Sequence, residues 1–153
     1  MKNTLLALLL LPALLAGCAA SRKTAPTTSG PGMSQQMGGL AGKYWKLVRL
    51  EGQPVTMAPG QEREAFFQLR DSSRVTGFGG CNGLSGRYEL NEHQLRLRFV
   101  NVLTTMRVCP GPDTERHLLN ALNQADNYTL RGDTLRLNVG RRAPLAVFYA
   151  VYF

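Results

Sequence analysis

The sequence predicts an α+β fold, short strands with a single helix among them, and three observations lead there. Apolar and polar residues alternate at period two in several runs between residues 44 and 153, the pattern of half-buried strands. Turn-forming groups separate those runs at short intervals: Asp71-Ser72-Ser73, Asn91-Glu92-His93 and Gly132-Asp133. One stretch, Asp113–Ala125, changes to helical spacing.

Tyr44–Leu50 opens the folded part, with Trp45 and Leu47 on one side and Lys46 on the other. Gly52–Gln61 carries two prolines and two glycines and reads as a loop. Ala65–Arg70 and Arg74–Phe78 are strand-like across the Asp71–Ser73 turn, and Arg87–Leu90 and Gln94–Val100 flank the next turn. In the last of these Leu95, Leu97 and Phe99 alternate with Arg96 and Arg98. The helix begins after Pro112, has Asp113 at the N-cap and Glu115 in its first turn, and marks one face with Leu118, Leu119, Leu122 and Ala125. Asn127–Arg131 and Thr134–Val139 are joined by Gly132-Asp133 alone, a hairpin. The final run, Leu145–Phe153, is apolar on both sides, which places it centrally with both faces covered.

Ahead of this lies a leader that begins Met1-Lys2 and runs apolar from Leu5 to Leu15, too short for the ~20 residues of a membrane span. Leu15-Ala16-Gly17-Cys18 resembles the lipobox of bacterial lipoproteins. The resemblance implies that residues 1–17 are a signal peptide and that Cys18 is acylated as the first residue of the mature chain. Ala19 in place of an aspartate implies the periplasmic face of the outer membrane. From Cys18 to Ala41 the chain is rich in Ser, Thr, Pro, Gly and Gln and reads as a disordered tether, leaving 42–153 as one domain.

The chain has 18 Lys+Arg and 10 Asp+Glu, a formal charge of +8. Much of that charge is arginine at alternate strand positions. It reads as a solvated outer sheet face, the alternative being adhesion to anionic lipid headgroups or lipopolysaccharide. The charge is not interleaved with stacking aromatics, so no nucleic-acid partner is expected. With Cys18 acylated, Cys81 and Cys109 remain: either a disulfide, as export permits, or two separate thiols.

No catalytic constellation emerges. His93 falls in a turn and His117 on the polar side of the helix, with no metal-ligand spacing, nucleophile elbow or phosphate loop. No cofactor and no metal are expected. The cluster Gly77, Gly79, Gly80 and Gly83 reads as a tight turn or bulge with positive φ.

That glycine segment carries a second resemblance. Gly77-Phe78-Gly79-Gly80-Cys81-Asn82-Gly83-Leu84-Ser85-Gly86-Arg87-Tyr88 resembles the G-x-x-G-C-N-x-x-x-G-x-Y signature of the META domain, the family of the heat-shock lipoprotein HslJ. Thr105-Met106-Arg107-Val108-Cys109-Pro110, ahead of Glu115, is similar to its second motif, T-(R/K)-M-x-C-P, with Met and Arg exchanged in order. The exchange turns Arg107 to the opposite strand face from the family's arginine. The resemblance covers Ala41 to Phe153. It implies a small, strongly curved antiparallel sheet, an opened barrel packed around one helix. It also implies no enzymatic activity, a link to heat shock, envelope stress and antibiotic tolerance, and a meeting of Cys81 with Cys109.

The expected function is therefore a lipid-anchored, non-enzymatic envelope protein that binds a protein segment or hydrophobic ligand along the opened sheet. Asn82, Tyr88, Thr105 and Arg107 are the candidate binding residues, with a local turn role open for Asn82 and a core role for Tyr88. The alternative is an inhibitor of an extracellular enzyme such as lysozyme, because Ser85-Gly86-Arg87-Tyr88 resembles, one residue short, a Ser-Gly-x-x-Tyr loop of lysozyme inhibitors.

Overall fold

The computed structural model describes residues 39–110 and 113–153. The signal peptide expected over 1–17, the lipidation expected at Cys18 and all but the last three residues of the tether lie outside the described residues. The elements are β1 (Tyr44–Leu50), β2 (Gln53–Pro54), β3 (Phe66–Arg70), β4 (Arg74–Phe78), β5 (Gly83–Asn91) and β6 (Arg96–Thr104). They are followed by α1 (Thr114–Gln124), β7 (Asn127–Arg131), β8 (Thr134–Asn138) and β9 (Ala146–Val151). Eight strands make one antiparallel sheet in the order β6-β5-β4-β3-β1-β9-β8-β7, and β2 pairs with β1 off that path.

The sheet curls until its two edges meet at one end, where the Tyr128 N–H donates to the Leu95 carbonyl at 3.0 Å. Helix α1 packs inside the curl against β6, β1 and β8. The expected α+β half-barrel around one helix is the fold of this chain. Two glycines allow the bend. A Cβ on Gly77 would lie 2.2 Å from the Phe66 carbonyl oxygen, and one on Gly86 would lie 2.9 Å from the Val102 Cα. Close backbone approach thus explains these glycines, and Gly86 sits at the register shift between Ser85 and Arg87.

The concave face is filled from within. Trp45, Phe67, Leu69, Val75, Leu97, Leu118, Leu122, Leu135, Leu137 and Phe148 are fully buried. Phe67 meets Phe99 and Phe148 edge to face, with centroids 5.4 and 4.8 Å apart. Leu40 belongs to this core, and its carbonyl accepts from Trp45 Nε1 at 2.9 Å. The packed domain therefore begins ahead of the expected boundary at residue 42.

Several expectations need correction. β5 starts four residues earlier than expected and β6 runs four residues further. Of the glycine cluster read as a turn or bulge, Gly77 lies in β4 and Gly83 in β5. On α1 the buried positions are Leu118, Ala121 and Leu122, whereas Leu119 is half-exposed. Asp113 is at the N-cap, but its carboxylate pairs with Arg116 and does not cap the backbone. β9 is central, between β1 and β8, yet only one of its faces is covered: Ala146 and Phe148 are buried, and Tyr149 is 52 % exposed. The convex side has nothing packed on it among the described residues.

Candidate functional site

The glycine signature builds a corner around Asn82. The Gly79 N–H donates to the Asn82 carbonyl at 2.8 Å, and Gly80 adopts φ +112°, a left-handed conformation that favours glycine. This turn ends β4 and points the Asn82 side chain toward the segment after β6. Asn82 Oδ1 accepts from the Thr105 hydroxyl at 2.8 Å and from the Arg107 N–H at 2.7 Å. Its Nδ2 donates to the Arg107 carbonyl at 3.1 Å and to Glu115 Oε1 at 2.9 Å. The Asn82 N–H donates to Glu115 Oε2 at 2.5 Å. Both lone-pair positions and both amide protons are engaged, which is the full capacity of the side chain. The Cys81–Cys109 disulfide, with Cα atoms 5.8 Å apart, ties the same two segments beside it.

Three of the four candidate binding residues thus meet, but as a structural knot. Asn82 is buried and saturated, Thr105 is one of its partners, and Arg107 contributes its backbone. The Arg107 guanidinium stands in solvent, 3.7 Å from Glu62. Tyr88 lies elsewhere, packed on the edge of the core with its hydroxyl donating to the Arg70 carbonyl at 3.2 Å. Burial and then the nearby Asp71 carboxylate raise its pKa above the usual phenol value. Of the two roles left open by the sequence, Asn82 takes the structural one, as a corner post, and Tyr88 sits at the edge of the core. Glu115, read from sequence as a dipole-favoured residue and as the glutamate after the second motif, is the key partner of Asn82.

A cavity of about 400 Å³ opens beside the knot, lined by Gly80, Cys81, Asn82, Arg107, Glu115 and Leu119 among others. Two pairs of its polar groups engage one another: Asn82 with Glu115, and Asp113 with Arg116. Among the described residues no group of three or more His, Cys, Asp and Glu could hold a metal ion.

A larger groove, about 780 Å³, lies on the convex side over β1, β9 and β8. Its floor is Val147 and Tyr149, and the Ala143-Pro144-Leu145 turn forms one wall. The register sets Val147 opposite Arg49 on β1 and Arg136 on β8, and Tyr149 opposite Lys46 and Thr134. Apolar floor and flanking cations are thus adjacent rows of one sheet face. Sequence reading missed this groove because it assigned a cover to both faces of Leu145–Phe153. The available signal was the pair of arginines at alternating positions of β1 and β8.

At the rim near Tyr44 the outer face turns aromatic. Tyr44 stacks on Phe66 with centroids 4.1 Å apart, and burial and the Glu64 carboxylate push its pKa up to about 12. Ser85–Tyr88, the segment likened to an inhibitor loop, lies within β5 and is paired to β4 and β6. It does not project. No helix among the described residues is long and apolar enough to cross a membrane.

Comparison with known proteins places this geometry. The family model described as META domain matches residues 38–152. An NMR structure of a protein from Burkholderia xenovorans has a TM-score of 0.57 at 23 % identity, covering 90 % of this chain and 99 % of that one. A second NMR structure has the same TM-score at 18 % identity, covering 72 % and 90 %. A crystal structure of a DUF4847 family protein from Bacteroides vulgatus has a TM-score of 0.53 at 15 % identity, covering 72 % and 93 %. At these identities the likeness is one of fold. No curated protein matches the chain.

Proposed function

The chain belongs to the META domain family, and on that premise we propose that it is a non-enzymatic, lipid-anchored protein of the cell envelope that holds a protein segment or hydrophobic ligand in the convex groove. The observation that carries this reading is the apolar floor on the central strand, where Tyr149 is exposed and Val147 half-buried. Exposed large apolar side chains rimmed by polar groups are the usual mark of a binding surface. The concave side is filled by the domain's own side chains and α1. A groove of this volume is in the range of small-molecule and peptide sites.

The non-enzymatic part rests on the knot, whose polar groups among the described residues bond one another, and on the family resemblance. Lipid attachment at Cys18, a place on the periplasmic face of the outer membrane and a role in envelope stress or antibiotic tolerance are part of the proposal. They rest on the lipobox and on the family resemblance.

Amide-shift mapping tests the groove. Titration with laurate or an apolar peptide is expected to move amides of β1, β8, β9 and residues 143–145, and Val147→Asp to abolish the shifts. Shifts confined to the cavity beside Asn82, or none at saturation, would remove the groove as the site. Anchoring is tested by fractionating cells that carry Cys18→Ser, which should release the protein from the membrane because stable anchoring needs acyl chains.

A further inference from the structure

We infer that the convex face of β3, β4 and β5 is a docking surface for the phosphates of an anionic lipid bilayer. The register places Arg74 directly opposite Arg70 on one side and Arg87 on the other. Three arginines therefore stand in register on adjacent strands, their Cα atoms spanning about 10 Å. All three are exposed. Like charges directly opposite one another destabilise a sheet, so the row lowers stability unless something negative neutralises it.

Nothing in the domain does so. The four ion pairs among the described residues involve none of the three, and Arg70 reaches only the neutral Gln68 side chain, at 2.6 Å. Two acids share the neighbourhood, Asp71 in the adjoining turn and Glu89 further along β5, and Glu89 already has Arg98 opposite it on β6. Arg98 and Arg96 also act on Asp126, whose carboxyl they help to hold low. The arginines of β6 thus have carboxylates to face, whereas the row across β3, β4 and β5 has none opposite it.

Position adds the second argument. The Gly42 N–H donates to the Leu69 carbonyl at 2.9 Å, so the chain enters the domain one residue from Arg70. That entry point, at Gly42, lies beside the arginine row. A cationic row spaced at strand separation matches a plane of lipid phosphates, and each cation near an anionic leaflet strengthens binding about fivefold. This inference does not depend on the groove or on acylation.

The test is vesicle co-sedimentation of the full chain expressed without lipid, so that every variant carries the same N-terminal segment. Vesicles containing about 30 % phosphatidylglycerol are compared with pure phosphatidylcholine. The triple variant R70Q/R74Q/R87Q should bind the anionic vesicles about a hundredfold more weakly, at five per arginine. Its binding to neutral vesicles should be unchanged and its thermal midpoint equal or higher. The lysine variant R70K/R74K/R87K should keep the affinity, because the surface reads charge. Unchanged binding by the glutamine variant overturns the inference. So does an equal loss in R131Q/R141Q/R142Q, which removes the same charge elsewhere and would make net charge the cause. Loss in the lysine variant overturns it too, pointing to a specific bidentate ligand.

Discussion

Replacing Asn82 with alanine should cost this domain a large share of its stability while leaving its surface almost untouched. The side chain makes four hydrogen bonds: two accepted by Oδ1 from Thr105 and Arg107, and two donated by Nδ2 to Arg107 and Glu115. Three are neutral bonds, worth about 1 kcal/mol each, and the one to the Glu115 carboxylate is worth about 1.5–3 kcal/mol. Their sum is about 5 kcal/mol, but the cavity beside the knot lets water reach some of the orphaned groups. The expected loss is therefore about 3–5 kcal/mol, against a total of about 5–15 kcal/mol for a domain of ordinary stability. Urea unfolding with the disulfide intact measures it as a fall in midpoint at constant slope. Asn82→Asp should be as damaging at neutral pH, because a second carboxylate then faces Glu115. Its deficit should shrink in acid as one of the two takes a proton and can donate. A loss below about 1 kcal/mol for Asn82→Ala would refute the knot and reopen Asn82 as a ligand contact.

Three further outcomes follow from the same geometry. A Cβ on Gly79 would lie 2.6 Å from Glu115 Cγ and 2.8 Å from Oε2, so Gly79→Ala should destabilise by about 1–3 kcal/mol. In a Glu115→Ala background most of that cost should vanish, and full additivity in the double-mutant cycle would refute the contact. Replacing Cys81 and Cys109 with serine opens a loop spanned by 28 positions and should lower stability by about 3–4 kcal/mol in chemical unfolding; no change would mean the bridge is dispensable. The Gly140 N–H, with Asn127 and the guanidiniums of Arg96 and Arg98, holds the Asp126 carboxyl below its usual range. A lowered folded value gives stability that is present above the ordinary carboxylate range and lost as pH falls through the lowered one. Asp126→Asn should therefore flatten the acid side of the stability–pH curve, and an unchanged curve would sink the assignment.

Much of the fold was legible because local pattern and global fold agree. Tyr44–Leu50, Arg74–Phe78 and Asn127–Arg131 have the same bounds in the structure as in the alternation, and the Gly132-Asp133 hairpin has its two-residue loop. The misplacements came where glycine serves curvature. Gly77 and Gly83 look like turn residues locally, but they lie in β4 and β5, where Gly77 lets the backbone of β3 approach closely. The site was half legible. The signature singled out Asn82, Thr105 and Arg107, which meet in the structure, but not that their polar groups turn on one another, since Glu115 lies 33 positions from Asn82. The arginine row was illegible because it depends on lateral register among three strands, and the groove was hidden further by the cover assigned to both faces of the last run. Periodicity tells which face Arg74 or Val147 takes, but not which side chain stands beside it.

A curled sheet that fills its own hollow has only its convex face and its edges to offer a partner. The two features of that face lie apart, since the arginine row is centred on β4 and the groove on β9, three positions along the strand order. They also differ in kind: the row is purely cationic, while the groove is apolar with cations at its borders. Separate sites that share no residues should respond independently to mutation. Val147→Asp should therefore abolish laurate shifts and leave the charge-selective vesicle affinity as it was. R70Q/R74Q/R87Q should do the reverse, and laurate should still bind protein already on vesicles. Should Val147→Asp release the protein from anionic vesicles, or the arginine variant empty the groove, the convex face would be a single surface with a single occupant. In that case the division between holding the domain at a bilayer and presenting a site away from it would fall.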